Sequence, residues 1–145
     1  MRKIYLATSW KNVFYEHVRN HLIGMGHEVY DFRDEKYAFK WSNVGGDIPV
    51  DKWTIAHYRD FVLPSAEAIR GFDRDKAALD WCDTCIYLEP CGKSASWEAG
   101  YAVGQGKQVI ILLNQVGFVP ELMYKFADHI CLNVQEVDKI LELQN

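Results

Sequence analysis

Short apolar runs rich in β-branched and aromatic residues recur along this chain and alternate with segments of helical spacing. This alternation restricts the fold more than any other feature. The runs are Lys3–Thr8, His27–Phe32, Thr84–Leu88, Gln108–Leu113 and His129–Leu132. Strands that alternate with helices form a parallel sheet covered on both faces. With right-handed crossovers, the expected fold is a three-layer α/β/α sandwich around a Rossmann-like or flavodoxin-like parallel five-stranded sheet. Ligands of such sheets bind beyond the carboxyl ends of the strands. Function is therefore expected in the loops after Ala7, Phe32, Leu88 and Leu113.

Between the strands, Val13–Met25 has helical spacing and stops at Gly26. Arg33–Asp51 is irregular, aromatic and glycine-containing, and reads as a long loop or lid. A helical region follows from about Lys52 to Trp81, broken near Pro64 or Gly71. Pro90–Ser94 reads as a turn, and Ser96–Gln105 as a helix stopped by Gly106. Pro120–Phe126 reads as a short helix and Gln135–Leu143 as a closing one. Without repeats, low-complexity tracts or a Pro/Gly/Ser linker, residues 1–145 read as a single domain. A chain of this length buries roughly two thirds of its unfolded surface, enough to fold without disulfides or metal.

Charge and cysteine usage narrow the partners. Sixteen Lys+Arg against 20 Asp+Glu leave a net charge of −4, and no basic stripe suits a nucleic-acid polymer or an anionic membrane. No apolar run approaches the roughly 20 residues of a membrane span. Met1–Leu6 has a basic pair but becomes strand-like with no small-residue cleavage site, so no signal peptide is expected and the location read is cytoplasmic. Cys82, Cys85, Cys91 and Cys131 fit a reducing compartment as thiols. Cys82 and Cys85 form a C-x-x-C, whose alternative reading is a redox or zinc module. Cys91 and Cys131 do not supply a second pair, so the expected role is as small buried hydrophobes. His17 and His21 stand four apart on a helix without a third ligand, and no metal is expected.

The most informative stretch runs from Glu89 to Gly106 and joins a strand's carboxyl end to a helix through a small-residue turn. Backbone N–H groups at such a helix start favour an anion, either a ligand phosphate or a carboxylate. Glu98 lies in the first turn or two of that helix. A capping box needs Ser or Thr three residues earlier, where this chain has Ala95. Simple helix electrostatics and a catalytic role both remain open for Glu98 on spacing alone. Gly100 and Gly104, four apart, are expected to let the helix approach the sheet or another helix. Neither G-x-x-x-x-G-K-[ST] nor G-x-G-x-x-G occurs, so no NAD or ATP cofactor of those kinds is expected. Asp73, Asp75, Asp80 and Asp83 form an acidic run whose default meaning is a solvated helix face. A second carboxylate opposite Glu98 would make the kind of pair that glycosidic cleavage uses.

These residues resemble the nucleoside 2-deoxyribosyltransferase superfamily, which includes 2′-deoxynucleoside 5′-phosphate N-hydrolases. The resemblance lies in the first strand, Lys3 to Ala7; in Asp75 followed by Asp83 before a strand; and in Ser-x-x-x-Glu-x-Gly-Tyr-Ala from Ser94 to Ala102. Gly106 to Val109 and the strand beginning near Ala127–His129 extend it, whereas the Arg33–Trp53 segment matches poorly. By this resemblance Glu98 is the nucleophile that attacks the anomeric carbon, and Asp75 assists protonation of the departing base. Tyr5 lies beside the nucleophile, and His129 falls near a position that a neighbouring subunit contributes in the transferases. The resemblance also implies a homo-oligomer, a dimer or larger. Gly92 stands where the transferase pattern has an acidic residue and the hydrolase pattern a serine, and Lys93, Ser94 or Ser96 are the substitutes nearby.

The chemistry is coherent. A C–N glycosidic bond breaks through an oxocarbenium-like transition state that a carboxylate stabilises and traps. A general acid must hold a proton for the base while the nucleophile stays charged. The substrate read from the chain is a nucleoside or nucleoside 5′-monophosphate, with no cofactor. Binding candidates are Thr8, Ser9, Trp10 and Lys11 after the first strand and Asp31, Phe32 and Arg33 after the second. Arg33, Lys11 and Lys93 suit a 5′-phosphate. Trp10, Tyr37, Phe39, Trp41 and Trp53 are candidates to stack on a base, though most of them are expected to pack the lid. The rival function is a nucleotide-binding sensor without turnover.

Overall fold

The structure is a computed structural model and describes residues 1–34, 36 and 38–143. Tyr37, among the stacking candidates, lies outside the described residues. The apolar runs form β1 (Lys3–Ala7), β2 (Glu28–Tyr30), β3 (Thr84–Leu88), β4 (Gln108–Leu112) and β5 (His129–Cys131), all parallel, in the order β2-β1-β3-β4-β5. That order is the flavodoxin-like one of the two expected. The helices are α1 (Tyr15–Gly24), α2 (Ile55–His57), which continues as a π-helical turn over Tyr58–Val62, α3 (Ala66–Trp81), α4 (Lys93–Gly104) and α5 (Val134–Glu142). The three-layer sandwich expected from the alternation is the architecture observed.

Boundaries move where local chemistry decides them. α4 begins at Lys93, about a turn before the expected Ser96, because extended Gly92 serves as its N-cap. The helical region after Lys52 breaks around Pro64, whose ring and missing N–H cannot sit inside a helix. Gly71 instead lies within α3, where an added Cβ would meet the Phe39 ring at 3.0 Å. Residues 120–126 yield only a 3₁₀ turn at Leu122–Phe126. The loop after β2 carries two more, at Trp41–Asn43 and Val50–Lys52.

By its contacts the chain forms two compact units, one of Met1–Asp31 with everything from Leu79 onward, the other of Phe32–Ala78. The first is built on the sheet. His21 Nε2 of α1 meets Asp138 of α5 at 2.9 Å, joining those helices on one face, where Leu22, Val137 and Leu141 are buried. α4 packs against β1, β3 and β4, and Tyr87 reaches Ser96 at 3.1 Å. Ile4, Leu6, Ile86 and Ile110 are fully buried in the sheet. Each such side chain contributes about 1.5–3 kcal/mol by leaving water.

In the second unit an aromatic cluster does the packing. Trp41 meets Phe39, Trp53 and Tyr58 edge-on, with centroids 4.8, 5.9 and 6.0 Å away. Trp53 Nε1 donates to the Ile48 carbonyl at 2.9 Å. Gly45, at φ +89°, lies under the Trp53 ring, where no side chain fits.

Chain winding reverses between β1 and β3, and a buried polar clamp joins the loops that leave them. Thr8 Oγ1 donates to the Leu88 carbonyl at 2.7 Å. Asn12 Nδ2 donates to Thr8 Oγ1 at 2.9 Å and to the carbonyls of Leu88 and Pro90 at 3.3 and 3.2 Å. Its Oδ1 accepts from the Phe14 N–H at 2.8 Å, at the start of α1. Asn12 is only 2% exposed, so no water replaces these bonds.

Two stability measurements follow from this packing. Asn12→Ala strands buried carbonyls and should lower unfolding free energy by about 1–3 kcal/mol in denaturant titrations. Ile86→Ala, in the central strand, should cost about 2–5 kcal/mol by the same measurement. A neutral result for Asn12→Ala would mean that the loops hold without the clamp.

Candidate active site

Glu98 has a specific position on α4. Ala95 and Ala102 of this helix are buried at 1% and 0% exposure, so the stripe they define faces the sheet. At 100° per residue Glu98 falls on that same stripe, and it is half-buried. The helix approaches the sheet through these alanines. Gly100 and Gly104 were expected to provide the close approach, yet a methyl group added at either would meet nothing within 4 Å. They border instead an open apolar cleft of about 520 Å³ between α4 and the 122–126 turn.

The strand residues under α4 follow from alternation and register. Tyr87 bonds to Ser96, so Tyr87 and Cys85 point toward α4. Tyr5 is the register partner of Cys85 and lies on the same face, buried and stacked on Tyr30 with centroids 5.3 Å apart. Burial pushes the Cys85 thiol well up, and the nearby Cys82 and Glu98 charges push it further. Burial likewise pushes the Cys91 thiol up to about 11, with Glu98 again among the causes. α4, which carries Glu98, packs on β1, the strand of Tyr5, as well as on β3.

The field of a helix N-terminus falls off within the first turn. Glu98 sits in the second turn of α4, which starts at Lys93. Gly92, Lys93 and Ser94 are exposed at the start of α4, and no side chain caps that end.

The other sequence-derived candidates divide between the units. Thr8 and Ser9 belong to the sheet unit with Tyr5 and Glu98. The Thr8 hydroxyl is engaged in the clamp, and Ser9 Oγ accepts from the Lys11 N–H at 3.2 Å. Trp10 is 44% exposed beside them. His129 opens the edge strand β5, with β4 between it and β3. Arg33, Trp41 and Asp75 belong to the Phe32–Ala78 unit, where Asp75 and Arg33 are half-buried and Trp41 is part of the aromatic cluster.

Several residues at the site carry no clear signal in the sequence. Asn12 is one, and its only signal is a Ser-x-x-Asn turn between strand and helix. Tyr87, Glu89 and Tyr124 form another group. The Tyr124 hydroxyl donates to Glu89 Oε1, and the rings of Tyr87 and Tyr124 meet at 5.6 Å. Burial and the bond to Glu89 push the Tyr124 hydroxyl far up, so it holds its proton and acts as a donor. The C-x-x-C pair shows the opposite of reactive chemistry. Cys82 and Cys85 are buried with raised thiols, whereas the nucleophilic form of cysteine is the thiolate.

No protein-family model matches this chain, and no curated protein matches it. Solved structures do. A 2-deoxyribosyltransferase from Bacillus psychrosaccharolyticus superposes with a TM-score of 0.59 at 20% identity, over 93% of this chain and 89% of that one. A CMP N-glycosidase of Clostridium botulinum superposes with a TM-score of 0.51 at 18% identity, over 96% and 97%. At such identities the likeness is one of fold. This chain has the fold of the nucleoside 2-deoxyribosyltransferase-like proteins that its Glu98 motif resembles.

Proposed function

We propose that this protein cleaves or transfers the N-glycosidic bond of a nucleoside or nucleoside 5′-monophosphate, with Glu98 as nucleophile. The observation that carries the reading is the half-buried Glu98 carboxylate on the stripe of α4 that Ala95 and Ala102 turn toward the sheet. The two named structural neighbours, one a 2-deoxyribosyltransferase and the other a CMP N-glycosidase, support this class of bond. In the proposed reaction a Glu98 oxygen bonds to the anomeric carbon as the C–N bond breaks. The electron pair of that bond leaves with the base, which takes a proton from Asp75. Water then releases the sugar, or a second base attacks and gives a new nucleoside. Tyr5 positions the carboxylate.

Thr8, Ser9 and Trp10 border the substrate in this reading. Gly92, Lys93 and Ser94 offer first-turn amides to its phosphate or sugar. Arg33 and Trp41 contribute charge and an aromatic face, and His129 acts across a subunit contact. Residues 1–145 then work as one functional domain, on a small molecule, without a cofactor. Four unpaired cysteines suit the cytoplasm. No helix among the described residues is long and apolar enough to cross a membrane.

A second reading is a nucleotide sensor without turnover. Gly92 favours it, because that position presents no side chain to the ligand.

A mixed nucleoside and nucleotide incubation, read by liquid chromatography and mass spectrometry, tests the catalytic reading. The wild type should give free base or swapped nucleoside, and Glu98→Gln should lower the rate by about 10³-fold or more with the fold retained. Ligand-induced thermal stabilisation without any product would support the sensor. The homo-oligomer has its own check. Leu122, Met123 and Phe126 leave 70, 56 and 67% of their surface exposed beside the α4 cleft, which suits a second copy of this chain. Light scattering should give at least a dimer, and Phe126→Glu should weaken it. A monomeric wild type would overturn that part of the proposal.

A further inference from the structure

α4 is apolar on more than one side. From Ser94 to Gly104 its one charged residue is Glu98, on the stripe that Ala95 and Ala102 turn toward the sheet. The opposite stripe runs through Trp97, Gly100 and Gly104, at i, i+3 and i+7. A helix with one face in water carries charged or polar residues there, whereas a helix that is apolar all round is covered. Yet Trp97 is 82% exposed, and both glycines are exposed as well.

The glycines sharpen this mismatch. Gly100 lies inside the helix, where glycine is less favourable than alanine because it loses more backbone freedom. A methyl group at Gly100 or Gly104 meets nothing within 4 Å, so the packing of the chain itself does not require a missing side chain. Close approach of a backbone from outside the chain does require it. The cleft between these glycines and the 122–126 turn continues the apolar surface, with Met123 and Phe126 among its walls. Trp97, Leu122, Met123 and Phe126 are 82, 70, 56 and 67% exposed, and together they offer on the order of 600 Å² in one copy. A symmetric pair would bury about twice that area, above the roughly 1,000 Å² that a specific interface needs.

We infer that a second copy of this chain docks on this face, with the two α4 helices antiparallel about a two-fold axis between Gly100 and Tyr101. That axis sets Trp97 of each copy against Gly104 of the other, because both pairs of positions share one midpoint. A two-fold interface must be self-complementary, and this stripe carries both the protruding indole and the bare backbone that receives it. Tryptophan is also enriched among the anchors of protein interfaces. The inference rests on the homo-oligomer proposed above and names the surface and register that make it. It ties assembly to the candidate site, since Trp97 and Glu98 are neighbours on α4.

The test is sedimentation of the full chain over a concentration series, with thermal unfolding of the same variants. Wild type should sediment as at least a dimer. Trp97→Arg should weaken the association at least about thirtyfold and leave unfolding of the dilute monomer unchanged, because the side chain is exposed. Gly100→Ala with Gly104→Ala should weaken it at least about tenfold while leaving the dilute monomer at least as stable. A packing role within the monomer would move stability the other way. Ile55→Ser, at a residue 85% exposed in the other unit, should leave the association intact. A wild-type dimer that survives Trp97→Arg or the glycine replacements overturns this interface and leaves the homo-oligomer standing. A monomeric wild type overturns both, and base release by the same sample shows whether the catalysis stands without assembly.

Discussion

The bond from Thr8 Oγ1 to the Leu88 carbonyl, with Asn12 holding both, fixes more of the sheet unit than its size suggests. Adjacent strands whose crossovers run in opposite directions send their exit loops apart. Here the two loops are tied by donors and acceptors that water does not reach. A satisfied buried network of this kind rigidifies its surroundings, and a half-satisfied one would be worse than an apolar contact. Asn12 also bonds the Phe14 N–H and the Pro90 carbonyl, so the same side chain sets where α1 begins and where the chain turns toward Gly92. Gly92 in turn starts α4. The axial position of Glu98 along α4 thus depends on a residue with no role in the proposed chemistry.

How close Glu98 comes to the sheet depends on a different feature. An inward carboxylate needs a helix that approaches β1 and β3, and Ala95 and Ala102 permit that approach while staying almost fully buried. Larger side chains there would lift α4 away and open the space to water. A carboxylate facing inward is unfavourable unless it is well partnered. The neighbouring thiols register that charge, because Cys85 and Cys91 are both held further toward their neutral forms by Glu98.

Much of the fold was legible because it rests on periodicity. Buried strands in a parallel sheet read as continuous apolar runs, and β3 is buried at every position. The break at Pro64 and the stops at Gly26 and Gly106 follow from backbone chemistry that one residue carries. The start of α4 was misplaced because Gly92, Lys93 and Ser94 also suit a turn, and the local sequence does not say where a loop becomes helix. The close-packing role given to Gly100 and Gly104 failed for a related reason. Spacing tells which residues share a face, but not which face meets the sheet, and the buried alanines decide that. Asn12, Tyr87 and Tyr124 were invisible because their partners lie far along the chain, with Asn12 bonded to Leu88 and Tyr124 to Glu89. The fold is shared by the solved structures at 18–20% identity, so it survives extensive replacement of side chains.

Net charge also proves to be a coarse guide. A balance of −4 disfavours a polyanionic partner because such a partner sums charge over a long surface. A small anion does not sum in this way. Screening at physiological salt falls off over about 8 Å, so a ligand the size of a phosphate ester responds to the few groups around it. The uncapped first turn of α4 is locally favourable to an anion within an acidic chain. An acidic residue elsewhere, Asp31 against Arg19, is paired with a cation in the sheet unit. The acidic surplus therefore acts on polymers at long range and leaves the local field at the first turn of α4 to the few groups around it.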